Sequence, residues 1–240
     1  MISMHRALGV ALLVSSRGLR SWSVYVSSLL STFWFLVVFY ILGGVKLVPH
    51  VLVGALVSSV FSGCAHSAVY DAYYGLIGLR DAFLASPVTS FEFRVGVALG
   101  HLLPSLSTAV VYAAVLVLLT GASPLEVLVL VLLVVLLWAL GVSIGYLVPA
   151  KDLMGAGPKI SLVTRILTLL PPIYYPSYVL PEPVRPLAYL APTYNASEII
   201  KAALGVEPFT LGHIATCAVL LLVQSMVIFA AVKKRTRAAE

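Results

Sequence analysis

The sequence predicts an all-α integral membrane protein with six transmembrane helices, because its composition is too apolar for a soluble fold and its apolar residues form six separate segments. Of the 240 residues, 61% are hydrophobic and 10% are charged. About 20 apolar residues are enough to cross a bilayer as one helix, and all segments except the fifth reach that length. The segments are residues 23–42, 48–69, 95–119, 125–148, 159–173 and 211–232.

Residues 1–20 precede the first segment and predict a short amphipathic helix at the inner membrane surface. Leu8, Leu12 and Leu13 would face the lipid, while Arg6 and Arg17 would stay near the headgroups. An N-terminal interfacial helix therefore begins the predicted architecture, ahead of the first span.

The basic residues predict how the chain is oriented. If both termini are cytoplasmic, most of the 15 Lys and Arg residues lie inside, as the positive-inside rule requires. The inner set is Arg6, Arg17, Arg20, Arg80, Arg94, Lys151, Lys159, Lys233, Lys234, Arg235 and Arg237, and the outer set is Lys46, Arg185 and Lys201. We therefore expect a multi-pass protein of the cell membrane. Its net charge of +6 is explained by this bias and by anionic lipid, without a nucleic-acid partner.

The inner segment between the second and third spans, residues 71–94, is too long for a turn and too polar for a span. Residues 72–84 predict one amphipathic helix, and Ser86-Pro87 ends it because a residue before Pro is disfavoured in the α region. Such a helix either docks into the groove of a partner or lies flat on lipid. The residues alone leave these two interpretations equal.

Local signals mark where later helices begin. Ser123 is expected to be an N-cap, with Pro124 at the first helical position and Glu126 completing a capping box. Glu126 is therefore interpreted as a cap and not as an ion ligand. Pro158 is expected to open the fifth spanning helix.

The outer segment between the fifth and sixth spans, residues 171–206, is rich in proline and tyrosine yet too apolar for a disordered linker. It predicts two short re-entrant helices that dip into the outer leaflet, where irregular backbone is tolerated if protein covers it. Asn195 is expected to cap the second of these helices, which would start at Asn195-Ala196-Ser197-Glu198 and continue through residues 199–204 to Gly205.

Several kinds of chemistry are missing from the sequence. It contains no HExxH, GxSxG or aspartate-rich motif, so no catalytic residue is assigned and the chain is not expected to be an enzyme. Apart from Glu126, interpreted as a cap at the start of the fourth segment, no Asp or Glu lies within a predicted span, which argues against an ion-coupled carrier. Cys64 and Cys217 both lie in spans, and neither a disulfide nor a metal site is predicted.

Three titratable side chains within the spans leave alternatives open. His66 and His101 either hold haem, relay protons or are satisfied by carbonyls of neighbouring helices, and the last is the commoner case. Arg165 either extends to the interface or faces a translocation path. Of these, His101 and Arg165 are candidate residues of such a path.

Two motifs give the chain a resemblance to a known family. The inner motif comprises Gly75, Phe91-Glu92, Gly96 and the run Leu84-Ala85-Ser86-Pro87-Val88-Thr89. The outer motif comprises Tyr175-Pro176, Leu180-Pro181, residues 185–194, Glu198, Lys201 and Gly205. Both stand at the expected topological positions, and residues 1–240 as a single domain resemble the ABC-2 type permeases, the membrane subunits of ATP-driven exporters. Ala191 departs from the Asn that is usual in the family.

The resemblance implies a dimer with a second permease copy or a paralogue, together with separate cytosolic ABC ATPase subunits that hold ATP and Mg²⁺. No cofactor is expected on this chain, which lacks a P-loop. Residues implied to couple to the ATPase are Gly75, Leu76, Leu79, Arg80, Phe83, Leu84, Ser86 and Pro87. Residues implied to form an outer gate are Pro176, Pro181, Pro186, Pro192, Asn195 and Glu198.

The implied function is export of a hydrophobic or amphipathic substrate by alternating access, across a cell membrane that we expect to be prokaryotic. Two alternatives remain at the level of sequence. One is a polytopic membrane protein unrelated to ABC transport, either an intramembrane enzyme or a scaffold. The other is an ABC permease that handles haem or lipid, for which His66 and His101 are the only hint.

Overall fold

The computed structural model describes residues 4–20, 22–148 and 153–239, and every regular element in these ranges is a helix. The all-α class predicted from the sequence is confirmed for this part of the chain. The α-helices, in order, are α1 (Met4–Leu19), α2 (Trp22–Gly43), α3 (Val48–Ala65), α4 (Ser67–Leu76), α5 (Leu79–Leu84), α6 (Ser90–Thr120), α7 (Pro124–Leu147), α8 (Leu153–Leu169), α9 (Arg185–Ala188), α10 (Pro192–Ala203) and α11 (Leu211–Ala239).

Four stretches of the described chain are long and apolar enough to cross a membrane, namely Thr32–Gly75, Ser90–Thr120, Pro124–Leu147 and Leu211–Arg235. These helices are compatible with a membrane protein. The first stretch is not one straight rod, because a 3-10 turn at Gly44–Leu47 separates α2 from α3, and Gly44 has a φ of 67°. Helices α2 and α3 pack against each other on either side of that turn.

Helix α3 forms the centre of the bundle and contacts α2, α6, α7, α8 and α10. Most of its residues from His50 to Ala65 are buried, including Leu56, Val60 and Phe61. A helix that is apolar on all sides belongs inside a protein, since no face of it needs water. The core therefore follows α3 along its whole length.

Two pairs of glycines let helices approach closely. Gly141 and Gly145 on α7 face the carbonyls of Phe61 and Ala65 on α3, and a Cβ at Gly141 would lie 2.5 Å from the Phe61 oxygen. Small residues four apart are a common contact between helices in membranes, because they allow backbones to touch. The pair Gly96 and Gly100 on α6 plays the same part against α1.

Helix α1 lies in the part of the chain where the sequence predicts an N-terminal helix, and it makes a contact that the sequence did not indicate. The face carrying Ala7, Val10, Ala11 and Val14 is buried against α6, whereas the face carrying Leu8, Leu12 and Leu13 is exposed. The exposed leucines are those predicted to face lipid. The helix is thus a packed part of the bundle as well as an amphipathic one.

Two helix boundaries differ from the prediction. The helix expected over residues 72–84 is broken at Gly78, whose φ of 71° lies in the left-handed region, so α4 continues from α3 and α5 is separate. Pro158 does not open α8 but lies inside it, because the chain is already helical at Leu153.

Capping boxes mark the starts of two long helices, α6 and α7. Ser123 and Glu126 form one at the start of α7, so this prediction is confirmed. Thr89 and Glu92 form a second one at the start of α6, with Thr89 N–H donating to the Glu92 carboxylate over 2.9 Å. Helix α6 therefore begins right after the Ser86-Pro87 turn.

Candidate functional site

Two ends of the bundle carry the residues singled out by sequence. We call the end with the turn at 44–47 and residues 171–210 the outer end, and the end with α1, α4 and α5 the inner end. The inner segment, residues 71–94, comprises the second half of α4, then α5, the turn at Ser86-Pro87 and the start of α6.

Leu79 and Phe83 attach α5 to the rest of the chain. Both pack against a small buried cluster at the inner end, and the Phe83 and Phe93 ring centroids lie 5.5 Å apart. The cluster comprises Val10, Val14, Tyr74, Phe93 and Val97. Contributions from α1, α4 and α6 therefore hold α5 in place.

Other side chains of the inner segment face outward. Ile77 is 50% exposed and Phe91 is 55% exposed, and Ser86 and Pro87 are exposed as well. The remaining predicted coupling residues Gly75, Arg80 and Leu84 are partly buried, and the side chain of Leu76 lies outside the described residues. The segment thus presents a mixed apolar and polar surface beside its anchored face.

The Ser86-Pro87 turn is held by hydrogen bonds. The Arg6 guanidinium on α1 donates to the Pro87 carbonyl, and Ser86 Oγ donates to the Phe83 carbonyl over 2.5 Å. The capping box at Thr89 follows immediately. The sequence motif therefore forms a defined turn and not a loose loop.

A group of polar side chains lies where the two ends of the inner segment meet. The carboxylate of Asp71 on α4 is buried, and its Oδ2 lies 3.7 Å from Arg94 Nε on α6. The Tyr146 hydroxyl of α7 donates to the same oxygen over 3.3 Å. Arg235 on α11 donates to the Tyr146 and Leu147 carbonyls at the end of α7. Four helices are thereby tied together at this level.

At the outer end, prolines shape the segment as the sequence predicted. Pro176 precedes a 3-10 turn at Ser177–Val179, Pro186 lies in the first turn of α9, and Pro192 is the first residue of α10. Pro181 is exposed between these elements. Pro fits these positions because its fixed φ suits a first turn and its missing N–H is not needed there.

The prediction that Asn195 caps a helix over residues 199–204 is wrong. Helix α10 starts at Pro192 with Ala191 as its N-cap residue, so Asn195 lies inside the helix and is fully buried. Its Nδ2 donates to the Tyr189 carbonyl at 2.9 Å and to Gln224 Oε1 at 3.0 Å. Gln224 on α11 also donates to the Tyr189 carbonyl. The amide fixes α10 to α11 instead of ending a helix.

A buried ionic network occupies the middle of α10. The Lys201 ammonium donates to Glu198 Oε1 over 2.8 Å and to the carbonyls of Pro172 and Tyr175, both over 3.1 Å. Each of its three protons therefore has an acceptor. The other carboxylate oxygen, Glu198 Oε2, lies 3.2 Å from His213 Nε2 on α11. The network joins α10 to the chain after α8 and to the start of α11.

His213 extends the network to Tyr189. Its Nδ1 lies 2.8 Å from the Tyr189 hydroxyl, while its Nε2 faces the carboxylate. A carboxylate only accepts, so Nε2 carries a proton and donates to Glu198.

Burial acts to raise the pKa of Glu198, but the hydrogen bond from His213 and the charge of Lys201 outweigh it, so this pKa lies below its ordinary value.

The three residues singled out within the spans have different surroundings. His66 contacts the Ser62 carbonyl through Nδ1 at 2.7 Å and Ser161 Oγ through Nε2 at 3.2 Å, as a satisfied core histidine would. The His101 ring contacts the Tyr70 ring, with centroids 4.3 Å apart and the ring planes tilted by 30°. Arg165 is exposed on α8. None of these contacts joins one of the three residues to another.

Several of these residues are not indicated by the sequence. The predicted topology places Lys201 among the outer loop charges, yet its side chain has no exposed surface. The spacing of Glu198 and Lys201, one helical turn apart, was the available signal. Asp71 and Arg94 gave no signal, because residues far apart in sequence meet only in the folded chain. Among the described residues, no group of three or more His, Cys, Asp or Glu side chains is placed to hold a metal ion.

Comparison with the models of known protein families gives no match to this chain, and neither does comparison with curated proteins.

Proposed function

We propose that this chain is the permease subunit of an ABC-2 type exporter, driven by separate ATPase subunits in the cytoplasm. Six spans belong to the proposal, formed by α2, α3, α6, α7, α8 and α11. Helix α8 is the shortest of them, with 17 residues. Its contacts with α3 and with α10 support its inclusion in the bundle.

The inner segment is the observation that carries the proposal. It combines an anchored face, through Leu79 and Phe83, with an outward surface that includes Ile77 and the Ser86-Pro87 turn. A partner that pushes on such a surface would act on α4 and α6, because Leu79 and Phe83 of α5 pack against the cluster that contains Tyr74 of α4 and Phe93 of α6. In the proposal the ATPase docks here, and ATP binding shifts the bundle between two states.

The outer segment supports the same proposal from the opposite end. Helices α9 and α10 are short and α10 is largely buried, in keeping with a structured cover over the bundle. In the proposal these helices form the exit gate, with Pro176, Pro181, Pro186, Pro192, Asn195 and Glu198 shaping it. Both termini are cytoplasmic in this arrangement, the membrane is the cell membrane, and a second permease copy or a paralogue completes the transporter.

The experiment is affinity purification of the tagged chain from its native cells in mild detergent. A P-loop ATPase should co-purify and hydrolyse ATP. Leu84→Asp should weaken its binding by about 2–4 kcal/mol, because the variant sets an unpaired carboxylate into an apolar contact. Leu190→Asp is the matched control, since Leu190 is exposed at the outer end, where a cytosolic protein cannot reach it.

Two results would contradict the proposal. One is the absence of any P-loop protein in the purified sample. The other is full ATPase binding by Leu84→Asp while the protein still inserts and purifies as the wild type does. Equal loss of binding in Leu84→Asp and Leu190→Asp would point to misfolding, and Ser86→Asp on the exposed turn then repeats the test without touching packed residues.

A further inference from the structure

His50 and Glu207 face each other at the outer end with no hydrogen bond between them. His50 lies in the first turn of α3, and Glu207 lies in the connection between α10 and α11. The distance between Nδ1 and Oε2 is 3.9 Å, and the two side chains are only 6% and 15% exposed. Both atoms are buried and have no hydrogen-bond partner.

Burying two polar atoms without hydrogen-bond partners costs free energy, because each atom has lost its hydrogen bonds to water and has gained none in the protein. When the neutral imidazole carries its proton on Nε2, Nδ1 and the carboxylate oxygen both present lone pairs and repel each other, which matches a separation too long for a hydrogen bond. One proton between them would satisfy both atoms at once. On the nitrogen it makes an imidazolium that donates to the carboxylate, and on the oxygen it makes a carboxyl group that donates to the imidazole.

We propose that His50 and Glu207 form a binding site for a single proton, and that occupancy of the site ties the α10–α11 connection to the first turn of α3. The proton comes from water at the outer end, and no other bond forms or breaks. On protonation the two atoms should approach to about 2.7–2.9 Å, the ordinary length of a charge-assisted hydrogen bond. The connection would move by roughly 1 Å.

The charged groups around the pair act in both directions. The Lys201 ammonium opposes protonation of Glu207, whereas the Glu198 carboxylate favours it, and both groups lie on α10. His213 on α11 also faces the pair, and Lys46, on the turn before α3, is exposed. Burial and, after it, the Glu198 carboxylate raise the pKa of Glu207. The Glu207 carboxyl therefore holds a proton more tightly than an exposed carboxyl does.

The connection between α10 and α11 is hydrogen-bonded to the end of α10. Gly205 begins it with a φ of 63° and is exposed, while the Val206 N–H donates to the Lys201 carbonyl over 2.9 Å. A shift of Glu207 would thus be transmitted to the end of α10. The inference concerns this chain by itself and does not depend on the proposed ATPase partner.

The test uses the full chain in lipid nanodiscs with ¹⁵N-labelled histidine. The His50 imidazole resonance is identified by its loss in His50→Gln and followed from about pH 4 to 8, the range that spans the ordinary pKa values of Glu and His. In the wild type this resonance should titrate in one step. In Glu207→Gln the midpoint should fall by at least about one pH unit, because the carboxylate is gone while the charge of Lys201 remains.

Glu182→Gln is the matched control, because Glu182 is an exposed carboxylate of the same outer segment. It should leave the midpoint unchanged. A His50 resonance that does not respond to pH in the wild type would overturn the proposal without any variant. An identical midpoint in the wild type and in Glu207→Gln would overturn it as well, since the two groups would then not share a proton.

Discussion

Lys201 and Glu198 lie one turn apart on α10 and form a 2.8 Å ion pair in which neither side chain has any exposed surface. A dry ion pair is stable only if its remaining donors and acceptors are also satisfied. Here the Pro172 and Tyr175 carbonyls and His213 meet that condition. The pair therefore fixes three parts of the outer end relative to one another.

Breaking this pair from one side should be costly. Lys201→Met keeps the aliphatic volume but leaves the Glu198 carboxylate buried, and we expect a loss of about 3–5 kcal/mol in the free energy of unfolding. The double variant Lys201→Met/Glu198→Gln should lose less than the sum of the single variants, because it leaves no unpaired charge. Denaturant unfolding in detergent micelles measures all three.

The matched control for the ion pair is Lys46→Met, which removes the same group from an exposed position. It should change stability by less than about 0.5 kcal/mol. Equal losses for Lys46→Met and Lys201→Met would mean that the pair contributes nothing beyond surface charge.

The close contact between α7 and α3 at Gly145 leads to a second prediction. A Cβ there would collide with the backbone of Ala65 on α3, where no side chain can rotate away. Gly145→Ala should therefore destabilise the bundle by about 1–3 kcal/mol. Gly157→Ala is the control, since no atom lies within 4 Å of the added carbon on α8. It should be neutral or gain up to about 1 kcal/mol of helix propensity. Thermal unfolding measures both variants. Equal unfolding temperatures for Gly145→Ala and Gly157→Ala would argue against the close contact between α7 and α3.

Topology supplies a third prediction. Ser86→Cys should react with a membrane-impermeant maleimide only from the cytoplasmic side, and Glu182→Cys only from outside. Both positions are exposed, whereas the native Cys64 and Cys217 are buried and free. The unmodified chain serves as the labelling background. Reaction of positions 86 and 182 from the same side would exclude the proposed six-span arrangement.

Much of the helical framework could be predicted from local sequence. Long apolar segments, the Ser123–Glu126 capping box and the proline breaks at the outer end act over a few residues, so their signals are visible in the chain itself. The boundary errors were also local. Gly78 adopts a left-handed conformation and splits the predicted inner helix, whereas Pro158 is tolerated inside α8.

The candidate sites were less predictable, because their members are distant in sequence. His50 meets Glu207, and Asp71 meets Arg94 and Tyr146, only after the helices have packed. Their residue types gave no indication of these partners. A basic residue in an outer segment is read as a loop charge unless the acceptors that bury it are known.

Composition and apolar length by themselves determined the all-α class, since a backbone surrounded by hydrocarbon must satisfy its hydrogen bonds within helices. The tertiary structure alone decided which polar side chains are buried. Asn195 was predicted to be a cap, yet it bonds to Gln224 and the Tyr189 carbonyl inside the protein. Lys201 was predicted to be a loop charge, yet it is fully enclosed. Local pattern sets helix formation, but the cost of burying a polar group depends on partners that only the folded chain brings within reach.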